Sequence, residues 1–202
     1  MIRRSILTAA VLVLTGCNAP ESAKAPADAP AATPSAATAP AVPADALTAE
    51  GWTSLRIGMT RAEVENAFGT DSTPETVGGA EPEACDIFHP QRAPEGLKVM
   101  IENGILTSIW LDPGSAMKTD RGFSVGDQAS AIKTAYGAAA IATPHKYSPA
   151  PAEYVTTWAR GGGSAYVEDP QARGISYHIG SDGRVEHVAA GGPSIQYVEG
   201  CA

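Results

Sequence analysis

The sequence predicts an α+β fold built from two tandem repeats, each a short helix followed by antiparallel strands, behind a signal peptide and a disordered Ala/Pro-rich linker. Three observations lead to this prediction. Residues 55–69 and 123–137 align without a gap. Each is followed by a hairpin signal between apolar runs, Asn-Gly at 103–104 and Asp-Gly at 182–183. Alanine and proline are instead concentrated in the first quarter of the chain.

Residues 1–16 are predicted to be a lipoprotein signal peptide. A basic start, MIRR, precedes an apolar stretch of ten residues, which has the length of a signal-peptide core and is too short to span a bilayer. The stretch ends in Leu-Thr-Gly before Cys17, which resembles a bacterial lipobox. That resemblance implies a diacylglyceryl group on Cys17, and each buried CH₂ adds about 0.8 kcal/mol of membrane affinity. The alternative is an ordinary cleaved signal with a chance cysteine.

Residues 17–49 are predicted to be the lipidated cysteine and its linker. Twenty of the 32 residues 18–49 are Ala or Pro. Because proline inside a helix costs about 3 kcal/mol, the segment is expected to be a semi-stiff tether without a core. Asn18 follows the cysteine, and enteric lipoproteins with Asp at that place favour the inner membrane. By analogy, we expect a lipid-anchored envelope protein on the periplasmic face of the outer membrane.

The first repeat, 50–118, opens with a helix. Thr60 and Glu63 have the spacing of a capping box, and Gly69 has the place of a helix stop. Apolar residues at 64, 67 and 68 share one face of that helix. Strands are predicted at 85–90 and in the hairpin 97–112.

The second repeat, 119–202, follows the same plan. Asp127 is predicted to cap its helix, and Gly137 to end it. Strands are predicted at 154–160 and 164–169 and in the hairpin 174–190. Each repeat of about 70 residues is marginal alone, so we expect the two to pack together, with helices on one face of an antiparallel sheet.

Cys85 and Cys201 remain as a pair once Cys17 is acylated. Export places them in an oxidising compartment, where a disulfide is the default. A bridge over more than 100 residues is worth about 4.7 kcal/mol by loop entropy, and it would hold the C-terminus. Two free thiols or a redox pair are the alternatives, although the chain has no CxxC.

Candidate catalytic and metal sites are missing from the sequence pattern. The four histidines, His89, His145, His178 and His187, have no metal-ligand spacing. Glycines 161–163 are not followed by the residues of a phosphate-binding loop, so a turn is predicted there. We therefore expect no enzyme activity, metal or cofactor. The net charge of −8 also argues against a nucleic-acid partner.

The first hairpin predicts a partner surface. Period-two alternation places Met100, Leu106 and Trp110 together on one face, opposite the face expected to lie under the helices. His178 lies at a comparable place in the second hairpin. An exposed patch with Trp and Met is typical of protein-binding sites. The alternative is that the two repeats or loop 70–84 bury this face.

The phrase IGMTRAEVENAFG, at 57–69 and after a lipobox cysteine and a linker, resembles the SmpA/OmlA (BamE-like) family of outer-membrane lipoproteins. That family shares a GMT-x-x-EV-x-x-x-x-G signature. The tandem form also resembles the β-lactamase-inhibitor-protein fold, a duplicated α/β unit. These resemblances imply a non-enzymatic protein-binding or scaffold module of the cell envelope. The alternative is a proteinaceous inhibitor of a hydrolase of the β-lactamase or lysozyme type. BamE-like proteins usually carry one copy of the repeat, whereas this chain carries two.

Overall fold

Antiparallel strands dominate the structure, which has an α+β fold. The computed structural model of the chain describes residues 41–76, 78–163 and 166–201. The helices are α1 (Arg61–Phe68) and α2 (Ala129–Tyr136), with short 3-10 helices at Gly137–Ala139 and Pro193–Gln196. The strands are β1 (Gly51–Trp52), β2 (Leu55–Arg56), β3 (Cys85–Phe88), β4 (Leu97–Glu102), β5 (Ile105–Leu111), β6 (Ile141–Pro144), β7 (Glu153–Arg160), β8 (Arg173–Ile179) and β9 (Val185–Gly191).

Seven of these strands form one antiparallel sheet in the order β3-β4-β5-β9-β8-β7-β6, and β1 pairs with β2 in a separate small hairpin. The predicted hairpins β4–β5 and β8–β9 meet at the centre, where β5 pairs with β9. On one side of that pair the sheet continues with β4 and then β3. On the other side it continues with β8 and then β7. Strand β6 extends the second half and is not predicted by the sequence.

The main core lies between the two helices and one face of the sheet. Val64 of α1 and Ile132 of α2 are fully buried and belong to the same cluster as Ile109 of β5 and Val188 of β9. The aromatic positions at the ends of the helices pack on this cluster from its edge. Both helices therefore cover the same face and leave the opposite face to the C-terminal residues.

The helix starts follow the predicted capping chemistry in one case only. At α1, Thr60 and Glu63 form the full capping box, with side chain and backbone bonded in both directions. At α2 the N-cap is Gln128, and its side chain makes no capping bond. The prediction that Asp127 caps α2 is wrong, because its carboxylate accepts from the backbone N–H of Ser124 at 2.8 Å.

These two helix starts give a matched pair of substitutions. Thr60→Ala is expected to lower the free energy of unfolding by about 1 kcal/mol, since it leaves the backbone N–H of Glu63 without its side-chain acceptor. Gln128→Ala at the equivalent position is expected to change it by less than about 0.5 kcal/mol, because no capping bond is lost. Urea denaturation of both variants measures the difference. Equal losses would contradict the assigned cap.

The folded part begins before the predicted boundary at residue 50. Ala46, Leu47 and Ala49 are buried, and Leu47 is fully so. The Leu47 N–H donates to the carbonyl of Lys118 at 2.8 Å, and the N–H of Asp120 donates to the Leu47 carbonyl at 2.9 Å. Residues 46–49 are thus part of the core and not of a tether, because they pair with a segment about 70 residues away.

A β-bulge corrects the predicted faces of the first hairpin. Ile101 pairs with Leu106, whereas Met100 pairs with Ser108, so Thr107 is an extra residue on β5. Side chains of β5 alternate between the two faces of the sheet, and this alternation shifts by one residue at Thr107. As a result Leu106 is fully buried on the helix side, and Ile105, which strict alternation would place on that side, is 37% exposed.

Several predictions fall on residues that the structure does not describe. The signal peptide 1–16, Cys17 and the linker up to residue 40 lie outside the described residues, as do Ser164 and Ala165 of the predicted strand 164–169. Its other residues, 166–169, form no strand. In the described part of the chain, no helix has the length and apolar character needed to cross a membrane.

Candidate binding face

The sheet face away from the helices carries a second, smaller hydrophobic cluster. Met100 and Trp110 of the first hairpin pack there with Ala189 of β9 and with Ile195, which comes from the 3-10 helix after β9. The chain crosses this face after its last strand. Cys85 and Cys201 form a disulfide with their Sγ atoms 2.03 Å apart, which is the pairing predicted from the sequence.

The predicted partner residues are not an exposed patch. Met100 is fully buried, and Trp110 and His178 are each 8% exposed on this face. Leu106 lies on the opposite face because of the bulge. The expectation of an open apolar surface is wrong because the C-terminal residues cover it, with Ile195 fully buried.

The Trp110 side chain is fixed by polar as well as apolar contacts. Its Nε1–H donates to the hydroxyl of Ser108 at 2.9 Å. Its ring meets His178 edge-on, with centroids 5.2 Å apart. Trp110 is thus a packed side chain with its one donor satisfied, as is usual for buried tryptophan.

His178 lies at the centre of a group of rings. Tyr154 of the neighbouring strand β7 meets it edge-on at 4.9 Å, and His145 stacks on Tyr154 at 4.8 Å. His187 lies directly across the β8–β9 hairpin from His178. The pKa of His178 is lowered to about 3, chiefly by burial and to a smaller extent by the neighbouring His187 and His145, while a hydrogen bond with the backbone of Ile195 acts in the opposite direction. His178 is therefore neutral at physiological pH.

One cleft on this face, the histidine cleft, has a volume of about 280 Å³ and is lined in part by Trp110, His178, His187 and Asp112. Asp112 accepts from His187 Nδ1 at 3.0 Å and pairs with Lys98 Nζ at 2.6 Å. Burial acts to raise the pKa of Asp112, but the hydrogen bonds from His187 and Lys98 outweigh it, and the pKa lies below its ordinary value.

A second cleft, the tyrosine cleft, has a volume of about 270 Å³ and lies over β6, β7 and β8. Its lining includes Tyr154, Thr156, Trp158, Tyr166, Ser176 and Lys146. The hydroxyls of Thr156 and Ser176 lie 3.0 Å apart across the two strands. A side chain at Gly162 would overlap the indole of Trp158, which explains a glycine in the predicted 161–163 turn.

The lining of the two clefts is mixed in character. Among the described residues, no group of three His, Cys, Asp or Glu side chains is placed to hold a metal ion. The described lining of the histidine cleft has no serine, threonine or free thiol beside the His187–Asp112 pair. The clefts instead combine aromatic surface with a few polar groups, as small binding sites do.

The C-terminal covering of this face is the feature that sequence reasoning missed. Val198 lines both clefts, and Glu199 and Gly200 line the histidine cleft. The predicted disulfide was the available signal, since a bond from Cys201 to β3 requires the chain after β9 to cross the sheet.

Comparison with known proteins adds little. No family model and no curated protein matches the chain. A solved structure with some likeness is a DUF4309 family protein, YjgB, from Bacillus subtilis, at 16% sequence identity and a TM-score of 0.41. The likeness covers 70% of this chain and 84% of that chain. At this level it says nothing about function.

Proposed function

We propose that this protein is a lipid-anchored, non-enzymatic binding module of the bacterial cell envelope, whose sheet face away from the helices meets another protein. The observation that carries the proposal is the tyrosine cleft, where Tyr154, Trp158 and Tyr166 line an open hollow. Tyr166 is 56% exposed at its rim. Tyrosine and tryptophan are enriched in protein interfaces, where they supply most of the binding energy.

The N-terminal sequence supports the anchor and the location. The basic start, apolar stretch and Leu-Thr-Gly before Cys17 coincide in the order of a lipobox. Acylation of Cys17 would hold the protein at a membrane, and the Ala/Pro-rich segment would give the folded part reach. Cys17→Ser is the control that separates anchoring from binding.

An internal duplication is the second part of the proposal. Three backbone hydrogen bonds between the helix start and the hairpin turn recur in both halves at the equivalent positions. In the first half, the N–H of Gly58 donates to the Leu106 carbonyl, that of Leu106 to the Met59 carbonyl and that of Arg61 to the Gly104 carbonyl. In the second half, the N–H of Gly126 donates to the Val185 carbonyl, that of Val185 to the Asp127 carbonyl and that of Ala129 to the Gly183 carbonyl. All six donor–acceptor distances lie between 2.7 and 3.0 Å. Gly58 and Gly126 both have positive φ, at 100° and 91°. This agreement supports an internal duplication of the helix-and-hairpin unit.

An inhibitor of a hydrolase is the second candidate function, and one observation favours it. Tyr147 is 61% exposed on the loop between β6 and β7. His145 Nδ1 accepts from the backbone N–H groups of Tyr147 and Ser148, both at 3.1 Å, and so braces the loop. A braced loop that presents one exposed aromatic side chain could place that side chain in a pocket of a partner, where tyrosine is a frequent anchor.

Site-specific photo-crosslinking in cells tests both candidates. We expect p-benzoylphenylalanine at Tyr166 to give discrete crosslinked proteins, whereas the same residue at Thr134, exposed on α2, gives none. Crosslinks from Tyr147 alone, together with stoichiometric inhibition of a lysozyme or β-lactamase that is lost in Tyr147→Ala, would favour the inhibitor. The absence of specific products at Tyr166 would overturn the proposed binding face.

A further inference from the structure

We propose that residues 198–201, called the strap, cover a latent peptide-binding groove that opens when the Cys85–Cys201 disulfide is reduced. The inference rests on the proposed binding function of this face, and it names the partner class and the regulation of that site. In the oxidised protein the strap divides the face into the histidine cleft and the tyrosine cleft. In the reduced protein the two clefts become one groove.

The strap is held by its disulfide and by the packing of Cys201 on the second cluster. No backbone hydrogen bond joins residues 198–201 to any other residue in the described part of the chain. The side chain of Glu199 meets Lys146 Nζ at 3.7 Å, but both are about half exposed, and such surface pairs contribute little. Without the disulfide, only the side-chain packing of Val198 and Cys201 and one surface ion pair would hold these residues, with no backbone hydrogen bond among the described residues to assist.

The residues just before the strap are anchored independently of the disulfide. Ile195 is fully buried in the second cluster. The Gln196 side chain both accepts from the Val167 N–H at 2.9 Å and donates to the Val167 carbonyl at 2.8 Å. Tyr197 N–H donates to the Ser194 carbonyl at 3.0 Å. Release of the strap would therefore stop at Tyr197 and leave the cluster beneath Ile195 intact.

The floor beneath the strap is continuous. Val198 lines both clefts. His178 lines the histidine cleft and Tyr154 the tyrosine cleft, and their rings touch at a centroid distance of 4.9 Å. Movement of Val198 would join the two hollows along this pair, giving a groove across strands β7, β8 and β9.

Two polar atoms of this floor point to the class of ligand. His178 Nε2 and the Tyr154 hydroxyl are buried and have no hydrogen-bond partner among the described residues. Buried polar atoms without partners are costly, so a ligand that satisfies both gains affinity. A peptide backbone supplies an N–H for the unprotonated Nε2 and a C=O for the phenol. The groove thus suits an extended segment of the protein partner.

Opening is a balanced thiol–disulfide exchange. A dithiol of the thiol–disulfide oxidoreductase class supplies two electrons and two protons, the Cys85–Cys201 bond breaks, and the reductant leaves as a disulfide. Both cysteines are partly exposed, so a reductant can reach them. Reoxidation returns the strap to the face.

Histidine acylation tests whether the strap moves. With the detergent-solubilised full chain, we expect diethyl pyrocarbonate to label His178 about tenfold faster after treatment with dithiothreitol, because local opening exposes Nε2. His89, which follows β3, is the internal reference. A chain ending at Tyr197 should show the fast rate without reductant. The proposal is overturned if His178 stays protected in both forms, or if reduction brings amide exchange throughout the sheet, which would indicate global unfolding.

A tethering experiment tests whether the groove takes a peptide. The chain ending at Tyr197 retains Cys85, which can form a mixed disulfide with added thiols. We expect the peptide Val-Glu-Gly-Cys-Ala to capture Cys85 about tenfold better than Gly-Glu-Gly-Cys-Ala in the same glutathione buffer, because only the first buries a valine in the groove. Equal capture would overturn the groove. Crosslinking at Tyr166 would be unaffected by that result, so failure of the strap is distinct from failure of the binding function.

Discussion

Trp110→Ala is expected to lower the free energy of unfolding by about 3–5 kcal/mol, the range for removing a large aromatic side chain from a core. Trp110 is only 8% exposed and packs with Met100, Ala189 and Ile195. Its loss would leave a cavity between the sheet and the C-terminal residues. It would also leave the hydroxyl of Ser108 without its donor. A role for Trp110 as a free partner-binding residue predicts, in contrast, a small effect on stability.

Ile105→Ala is the matched control for this prediction. Ile105 lies on the same hairpin but is 37% exposed, because the bulge turns it away from the core. Its truncation is expected to cost less than about 1 kcal/mol. Urea denaturation followed by circular dichroism measures both variants. A loss below about 1 kcal/mol for Trp110→Ala, or equal losses for the two, would contradict the packing described for this face.

Local signals were enough to predict the elements that depend on neighbouring residues. The Thr60–Glu63 capping box and the Asn-Gly and Asp-Gly turns act over three or four residues, so a single sequence contains all the information they need. The Cys85–Cys201 pairing followed from counting cysteines. These features were therefore predicted correctly before any tertiary contact was known.

The features that were not predicted depend on contacts distant in sequence. Thr107 carries no mark of a bulge in the sequence, and its effect on Ile105 and Leu106 appears only when β4 and β5 are paired. Leu47 reads as part of an Ala/Pro-rich linker until its pairing with Thr119 is known. The candidate partner face was misjudged for the same reason, since only the path of the chain after β9 shows what covers Trp110.

Acidification is expected to destabilise the protein through His178. Its pKa in the folded protein is about 3, against about 6.5 in an unfolded chain. Between these values the unfolded state binds a proton that the folded state does not, so stability is lost as the pH falls from about 6.5 toward 3. Integrated to pH 4, the loss relative to pH 7 is about 3 kcal/mol. The pKa of Asp112 is lowered in the folded protein, because folding stabilises its charged form. Asp112 therefore adds a further loss of stability only when the pH falls below about 4, the ordinary pKa of an aspartate.

His178→Phe isolates this contribution, since phenylalanine keeps a ring beside Trp110 and Tyr154 and does not titrate. Urea denaturation at each pH from 7 to 4 gives the free energy of unfolding of the wild type and of the variant. Over this range the wild type should lose about 3 kcal/mol more than the variant. Asp120 has a raised pKa and therefore acts in the opposite direction, but it is present in both proteins and cancels in the difference. A difference that stays constant with pH would mean that His178 takes up a proton in the folded state. Its ring would then have to be reachable by water beside Tyr154 with residues 198–201 still in place.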